Sequence, residues 1–301
     1  MKHIFIINPI SGNGIVHKVP EMIRSILDDD ALFSIRITEY AGHAIEIARE
    51  YTQADDVCLY AVGGDGTAHE VLNGLQENVA MAIIPAGSGN DFYWMVGSLK
   101  QSLRDILEQT IYGKTVKVDY AMANAIRFLN CTNIGIDANI NFRANKLGDR
   151  FKFFRRFKKI SYLVCAVAEL FHLEPFEATF TFNGQSITKK ILLTSVMLGR
   201  QYGGGFKSTP QASIQDGLLD ICMVGVPKPM IKVFYLFPKY YAGKHEQIDI
   251  VDLYQARSVT FSTAAPVNVG NDGEIFQGNS VELSIVEKGL NLRVPQSSEL
   301  K

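Results

Sequence analysis

The apolar run Cys58 to Val62 passes directly into Gly63-Gly64-Asp65-Gly66-Thr67 and then into a helical pattern starting near Ala68. No other stretch limits the chain as much. A strand without a polar face belongs inside a sheet covered on both sides, and three glycines after it let backbone approach a ligand just where a helix begins. The same order recurs around it. Ile4 to Ile7, Phe33 to Ile37 and Met81 to Ile84 read as buried strands, while Lys18 to Leu27 and Ala44 to Tyr51 carry helical spacing. Strands alternating with helices predict a parallel sheet, whose ligands bind at the carboxyl edge of the strands.

The texture changes after Asn124. Phe176, Ala178, Phe180 and Phe182 alternate with Glu177, Thr179 and Thr181, and Asn183-Gly184 then offers a hairpin turn. This predicts a mostly antiparallel β domain, with one helix presenting Ile160, Leu163, Val164, Val167, Leu170 and Phe171 on a single apolar face. The expected organisation is an α/β domain over 1–124, a β domain over 125–288, and a segment 289–301 that returns to the first domain. The 301 residues are enough for two such cores.

A net charge of −1 leaves no global field to attract nucleic acid. Cys58, Cys131, Cys165 and Cys222 stand far apart with no C-x-x-C pair, which argues against a zinc site or a disulfide framework. The run Ile4 to Ile7 is too short for a signal peptide, and the stretch Tyr162 to Leu173 is interrupted by Glu169 and His172. A cytoplasmic protein is the expectation. His3, His17, His172 and His245 show no metal-ligand spacing and read as ordinary structural histidines.

Three loops follow the strands. In Asn8-Pro9-Ile10-Ser11-Gly12-Asn13-Gly14, free backbone N–H groups and the Ser11 hydroxyl suit an anion, although a simple turn explains the same residues. In Gly63 to Thr67, Asp65 suits a Mg²⁺ ion, whereas Thr67 and Glu70 also fit a T-x-x-E capping box serving only the helix. The third loop, Pro85-Ala86-Gly87-Ser88-Gly89-Asn90-Asp91-Phe92, adds another glycine-rich turn; Asn90-Asp91 also fits a helix cap, with Phe92 as a packing anchor. Parallel strands in one sheet bring all three loops to the same edge.

Together with Thr38-x-x-x-Gly42-His43-Ala44, Asp216-Gly217-Leu218-Leu219-Asp220 and Asp272-Gly273-Glu274, these loops resemble the diacylglycerol kinase catalytic domain family over nearly the whole chain. By themselves, Asp216-Gly217 reads as a hairpin turn and Asp272-Gly273-Glu274 as a turn with an exposed acid. The resemblance implies an α/β nucleotide-binding domain like those of NAD kinases and diacylglycerol kinases, a C-terminal β-sandwich, and an active site in the cleft separating them. It implies an ATP- and Mg²⁺-dependent lipid kinase acting on the hydroxyl of diacylglycerol or a related lipid alcohol. The alternatives are another alcohol (a sphingoid base, phosphatidylglycerol, a soluble polyol) or a regulatory nucleotide-binding module without turnover.

By the same resemblance Asn8, Pro9, Ile10, Ser11, Gly12, Thr38, Gly63, Gly64, Asp65, Gly66, Thr67, Glu70, Gly87, Ser88 and Asn90 line the ATP site. Asp65, Asp91 and Asp119 surround the catalytic Mg²⁺, Glu274 is the general base, and Ser213, Asp216 and the Leu218 carbonyl hold a second, structural Mg²⁺. The chain departs from the pattern at Asn13, often Lys or Arg in relatives, at Ser88 for the usual Thr, and at Tyr93-Trp94, which would reshape the acceptor side. A homodimer is a further expectation, and nucleic acid is not an expected partner.

Between Lys146 and Lys159 stand seven basic residues and the single acid Asp149, interleaved with Phe151, Phe153, Phe154 and Phe157. The run suits peripheral contact with the inner face of the membrane, although a solvated basic helix packed through its phenylalanines fits equally well. Basic residues near an anionic surface contribute on the order of 1 kcal/mol each. Replacing Arg155, Arg156, Lys158 and Lys159 with Gln is therefore expected to lower co-sedimentation with anionic vesicles at least tenfold; unchanged sedimentation rejects the membrane role.

Overall fold

The computed structural model describes residues 1–136, 138–140, 142–143, 147, 158–169 and 173–301. The chain divides into one unit of Met1–Tyr120 with Glu287–Lys301 and another of Ala121–Val286.

In the first unit, β1 (Lys2–Ile7), β2 (Phe33–Ile37), β3 (Val57–Gly63) and β4 (Ala80–Pro85) are parallel in the order β2-β1-β3-β4. Asn291–Arg293 of the last strand, β13 (Glu274–Val294), continue this sheet beside β4. All seven residues of β3 are buried, as an inner strand covered on both faces requires. On one face Phe5, Ile7, Tyr60 and Val62 pack with Val19 and Ile23 of α1 (Val19–Ile26) and with Leu107 and Ile111 of α4 (Leu103–Ile111). Ile4, Ile6, Leu59 and Ala61, equally buried, point the other way. That face is served by α2 (His43–Arg49) and α3 (Asp65–Gly74), which pack on each other. Full burial of such side chains contributes about 1.5–3 kcal/mol each. Because β1 leads to β2 on one side and lies against β3 on the other, the strand order reverses at the carboxyl ends of β1 and β3.

β5 (Lys114–Ala123) carries the chain into the second unit, an antiparallel assembly of β6 (Ile126–Phe128), β7 (Cys131–Gly135), β8 (Phe176–Phe182), β9 (Gln185–Met197), β10 (Leu219–Gly225), β11 (Val251–Ala256), β12 (Ser258–Asn271) and the start of β13. The β8–β9 hairpin turns at Asn183 and Gly184, with φ of 50° and 74°, the pair of left-handed residues that a two-residue turn demands. β9 and β12 each serve two neighbours in succession. Their early residues pair with β8 and their later ones with β7, and β12 carries its irregularity between Ser262 and Val267 where the partner changes. Strands that switch partners at a bulge are how a sandwich turns its corners.

This unit also carries α5 (Lys158–Glu169) and α6 (Val233–Tyr241). Of the apolar face expected for α5, burial is described for Val164 and Val167 alone. Val164 and Val167 are nearly half exposed, while Cys165, Ala166 and Glu169 are buried. Glu169, buried on that side, forms an ion pair with the half-exposed Arg143, Nε to Oε1 at 2.5 Å. Leu170, Phe171 and most of the Lys146 to Lys159 run lie outside the described residues. No helix among the described residues is long and apolar enough to cross a membrane, and all four cysteines are free and buried.

His3 is buried in β1, with its Nδ1 2.7 Å from the Tyr60 hydroxyl. Burial, helped by Arg293 and the N-terminus, pulls its pKa from 6.5 to about 4. The folded state therefore stays neutral where the unfolded chain takes up a proton, and stability falls as pH drops from 6.5 towards 4. The loss is at most about 3 kcal/mol. Urea denaturation at pH 7, 5.5 and 4.5 is expected to show this decline, with a flatter profile for His3→Gln.

Candidate active site

The residues after β1, β3 and β4 form one cluster because their backbones touch. The Ala86 N–H donates to the Gly63 carbonyl at 2.9 Å, the Asp65 N–H to the Gly89 carbonyl at 3.1 Å, and the Asn8 N–H to the Val62 carbonyl at 3.1 Å. Such contact leaves no room for side chains at several positions, two of them the tightest against backbone. A Cβ on Gly87 would lie 2.3 Å from Gly64 Cα, and one on Gly12, at φ +63°, would lie 1.9 Å from the Ala86 carbonyl oxygen.

Asp65 joins the second loop to the third. Its carboxylate accepts the backbone N–H groups of Asp91, at 2.9 Å, and Phe92, at 3.3 Å. Asp65 is the first residue of α3, where a negative charge meets the positive end of the helix dipole. The helix thus begins three residues earlier than its pattern predicts, and Gly64 in the cap position makes no side-chain bond. Thr67 and Glu70 consequently lie inside α3 and form no capping box. The Thr67 hydroxyl accepts from Asn8 Nδ2 at 3.2 Å, tying the first loop to the second. Glu70 accepts the Ala44 N–H at 3.2 Å and so serves the start of α2.

The remaining predicted residues fall as follows. Thr38 is buried at the end of β2, its N–H donating to the Ile7 carbonyl. Asn8 Oδ1 accepts the Ile10 N–H, and Ile10 and Pro9 sit at the outer rim of the loop, with Ile10 78% exposed. Asn90 donates to the Gly87 carbonyl at 2.8 Å and holds its own turn closed. The Ser11 and Ser88 hydroxyls have no protein partner among the described residues and remain available as donors. Gly66 is exposed at the second position of α3, and a Cβ there would meet nothing within 4 Å. Asp91 is buried, although its side chain does not cap the 3₁₀ turn Phe92–Met95 that follows. Phe92 and Tyr93 are buried and Trp94 is exposed, so Tyr93 packs into this unit and only Trp94 reaches solvent.

Asp119 is completely buried in β5, and its Oδ1 accepts the Lys288 N–H at 2.7 Å. Among the described residues, no group of three or more His, Cys, Asp or Glu side chains could hold a metal by itself. The oxygen donors of Asp65 and Asp91 nevertheless suit Mg²⁺, which is held through one or two carboxylates and completes its shell with waters and substrate phosphates.

In the second unit, Ser213, Asp216 and Leu218 share one turn before β10. Ser213 Oγ accepts the Gln215 N–H, and Asp216 Oδ1 accepts the Leu218 N–H. Asp220 follows, buried, with its pKa raised to about 6 by burial and by the charge of Asp216, and its Oδ2 has no hydrogen-bond partner among the described residues. The hydroxyl, carboxylate and carbonyl of this turn are the hard oxygen donors that a cation such as Mg²⁺ takes.

Glu274 is exposed as the first residue of β13, opposite Asn271 in the β12–β13 turn. The neighbouring Asp272 is what sequence reasoning missed. Its carboxylate accepts three successive backbone N–H groups, those of Leu129, Asn130 and Cys131, at 2.7, 2.9 and 2.9 Å. Asp272 holds the turn while Glu274 is left to solvent. The only available signal was Asp-Gly at a turn, which does not say where the Asp side chain bonds.

Two family models together span most of the chain. One, described as the diacylglycerol kinase catalytic domain, matches residues 2–123; the other, the YegS C-terminal NAD kinase beta sandwich-like domain, matches residues 130–294. The chain is 29% identical over 295 residues to a Bacillus subtilis protein named lipid kinase YtlR, covering 92% of this chain and 94% of that one. It is 28% identical over 298 residues to a diacylglycerol kinase of Mycobacterium tuberculosis, covering 96% and 94%. The solved structure of a diacylglycerol kinase from Bacillus anthracis shares the fold, with a TM-score of 0.72 at 23% identity and 97% and 96% of the two chains covered.

The stability of the loop cluster separates two of its glycines. Gly87→Ala forces backbone against backbone and is expected to cost about 1–3 kcal/mol, whereas Gly66→Ala should stay within about 0.5 kcal/mol of the parent. Urea unfolding midpoints of the two variants check this.

Proposed function

Since the chain belongs to the diacylglycerol kinase family of lipid kinases, we propose that it transfers the γ-phosphate of ATP to the hydroxyl of diacylglycerol or a related lipid alcohol, giving phosphatidic acid when the acceptor is diacylglycerol. The observation that carries the reading is the junction of three glycine-rich loops, the second held to the third by the Asp65 carboxylate and the first to the second by the Asn8–Thr67 bond, at the edge where the strand order reverses. Phosphoryl transfer asks a protein mainly for positioning and for charge stabilisation, and this edge is built for both.

In this reading the Ser11 and Ser88 hydroxyls and the backbone N–H groups of the glycine-rich turns bind the phosphates. Gly66 is glycine because of what approaches it from outside, since nothing in the fold occupies the space of its Cβ. Asp65 and Asp91 hold Mg²⁺, which neutralises phosphate charge when bound. Glu274 takes the proton from the acceptor hydroxyl as the new P–O bond forms and ADP leaves, and Asp272 positions the turn that carries it. Ser213, Asp216 and the Leu218 carbonyl hold a structural cation in the second unit. Peripheral membrane contact through Lys146 to Lys159 belongs to the same reading, because the acceptor resides in a bilayer.

Transfer of label from [γ-³²P]ATP with Mg²⁺ to lipid extracts containing diacylglycerol tests the proposal. A labelled phosphatidic acid product is expected, reduced at least 100-fold in Glu274→Ala with ATP binding retained. Gly66→Ala is expected to weaken ATP binding about tenfold or more while keeping parental stability. ATP binding without any labelled lipid moves the assignment to another alcohol or to a regulatory module.

A further inference from the structure

The helix α6 and the 3₁₀ turn Met230–Lys232 that leads into it are apolar on two sides. Met230, Val233, Phe237 and Tyr240 pack into the core of the second unit, which accounts for the inner side. On the outer side Ile231 is 67% exposed, Phe234 37%, Tyr235 66% and Tyr241 43%, with Pro238 exposed among them. The spacing i, i+3, i+4, i+7, i+10 sets these residues on one stripe. Scattered exposed apolar side chains are ordinary, but a surface helix turns polar residues to water, and a continuous apolar stripe in their place marks a contact.

The charges around the stripe have one sign. From Ile221 to His245 the chain holds Lys228, Lys232, Lys239 and Lys244 and no Asp or Glu. The exposed Lys207 joins them, its N–H donating to the Tyr241 carbonyl at 3.4 Å. Lys239 Nζ stands 4.4 Å from the centre of the Tyr235 ring, so charge and aromatic face form one surface. The helix itself accounts for Lys239, which lies in the last turn beside the negative end of the dipole. It does not account for Lys228 and Lys232, which precede the first turn, where positive charge is disfavoured.

An apolar stripe edged by lysines matches the boundary of an anionic bilayer, where aromatic bodies enter among the headgroups and lysine stems carry their charges to the phosphates. The nine residues of α6 are too few to cross a bilayer, but a helix lying in its surface needs only an outer face. A second copy of the chain fits less well, because symmetric pairing sets the same lysines against one another.

We propose that α6 and the turn before it dock on anionic phospholipid bilayers, with Ile231, Phe234 and Tyr235 entering the headgroup layer while Lys228, Lys232 and Lys239 meet lipid phosphates. This surface is separate in sequence from the run Lys146 to Lys159. The choice of a bilayer over an acidic protein rests on the lipid-kinase reading; the need for an apolar, anionic partner rests on α6 itself.

Co-sedimentation of the full chain without nucleotide is expected to show binding about tenfold or more tighter to vesicles of phosphatidylcholine mixed with phosphatidylglycerol than to phosphatidylcholine alone, and salt should weaken it. The double variants Ile231→Ser with Tyr235→Ser and Lys228→Gln with Lys232→Gln should each bind the mixed vesicles about tenfold more weakly or worse. All four positions are exposed, so their urea midpoints should stay parental. The indole introduced by Tyr235→Trp, in a Trp94→Phe background, should shift its emission to shorter wavelength when mixed vesicles are added. Parental vesicle binding by either double variant leaves the face to an acidic protein and overturns the proposal, as does an unmoved indole emission. A parental dimer that Ile231→Ser with Tyr235→Ser turns into monomers in sedimentation velocity overturns it in favour of a second copy. No readout involves phosphoryl transfer, so a failed kinase assay with docking through α6 intact removes the kinase reading alone.

Discussion

The carboxylate of Asp65 accepts two backbone N–H groups from a loop 26 and 27 residues further along the chain, while its own N–H donates back to the Gly89 carbonyl. Hydrogen bonds to a charged acceptor are the stronger kind, worth about 1.5–3 kcal/mol each. They close the second loop onto the third at a distance only glycine permits, since a methyl group on Gly87 would meet the backbone of Gly64. The Asn8–Thr67 bond then brings in the first loop. Everything ascribed to the nucleotide edge depends on this knot, because Ser11, Gly66 and Ser88 are useful only if held in one place.

A second carboxylate plays the matching part in the other unit. Asp272 accepts three consecutive N–H groups where β6 gives way to β7 and so anchors the β12–β13 turn. In both places one Asp organises backbone. On the proposed reading a neighbouring residue, Glu274 beside Asp272, is left for chemistry, while Asp65 would both build the loops and hold Mg²⁺.

The elements built from local patterns were legible. Ile4 to Ile7, Phe33 to Ile37, Cys58 to Val62 and Met81 to Ile84 all lie within the observed strands, and the Asn183-Gly184 turn joins β8 to β9. Loop-to-strand connectivity made the three glycine-rich segments readable as one candidate edge. The start of α3 and the face of α5 were not legible, and the reasons are physical. Asp65 begins its helix early because a distant loop supplies the N–H groups that reward its position. Glu169 is buried and paired with Arg143, a partner 26 residues away that helical periodicity does not reveal. The burial of His245 against the Ser208 carbonyl gave no sign in the sequence, since an isolated histidine reads the same whether its ring nitrogens face water or a carbonyl.

By itself the sequence determined the alternation of strand and helix in the first unit, the antiparallel texture of the second, and the residue types available at each loop. These follow from period, propensity and turn chemistry, which act over a few residues. Only the tertiary structure decided which carboxylates hold backbone and which hydroxyls remain available. Those outcomes depend on contacts between residues 26 to 143 positions apart, and the energy of such a contact is set by distance and burial, neither of which the order of residues encodes directly.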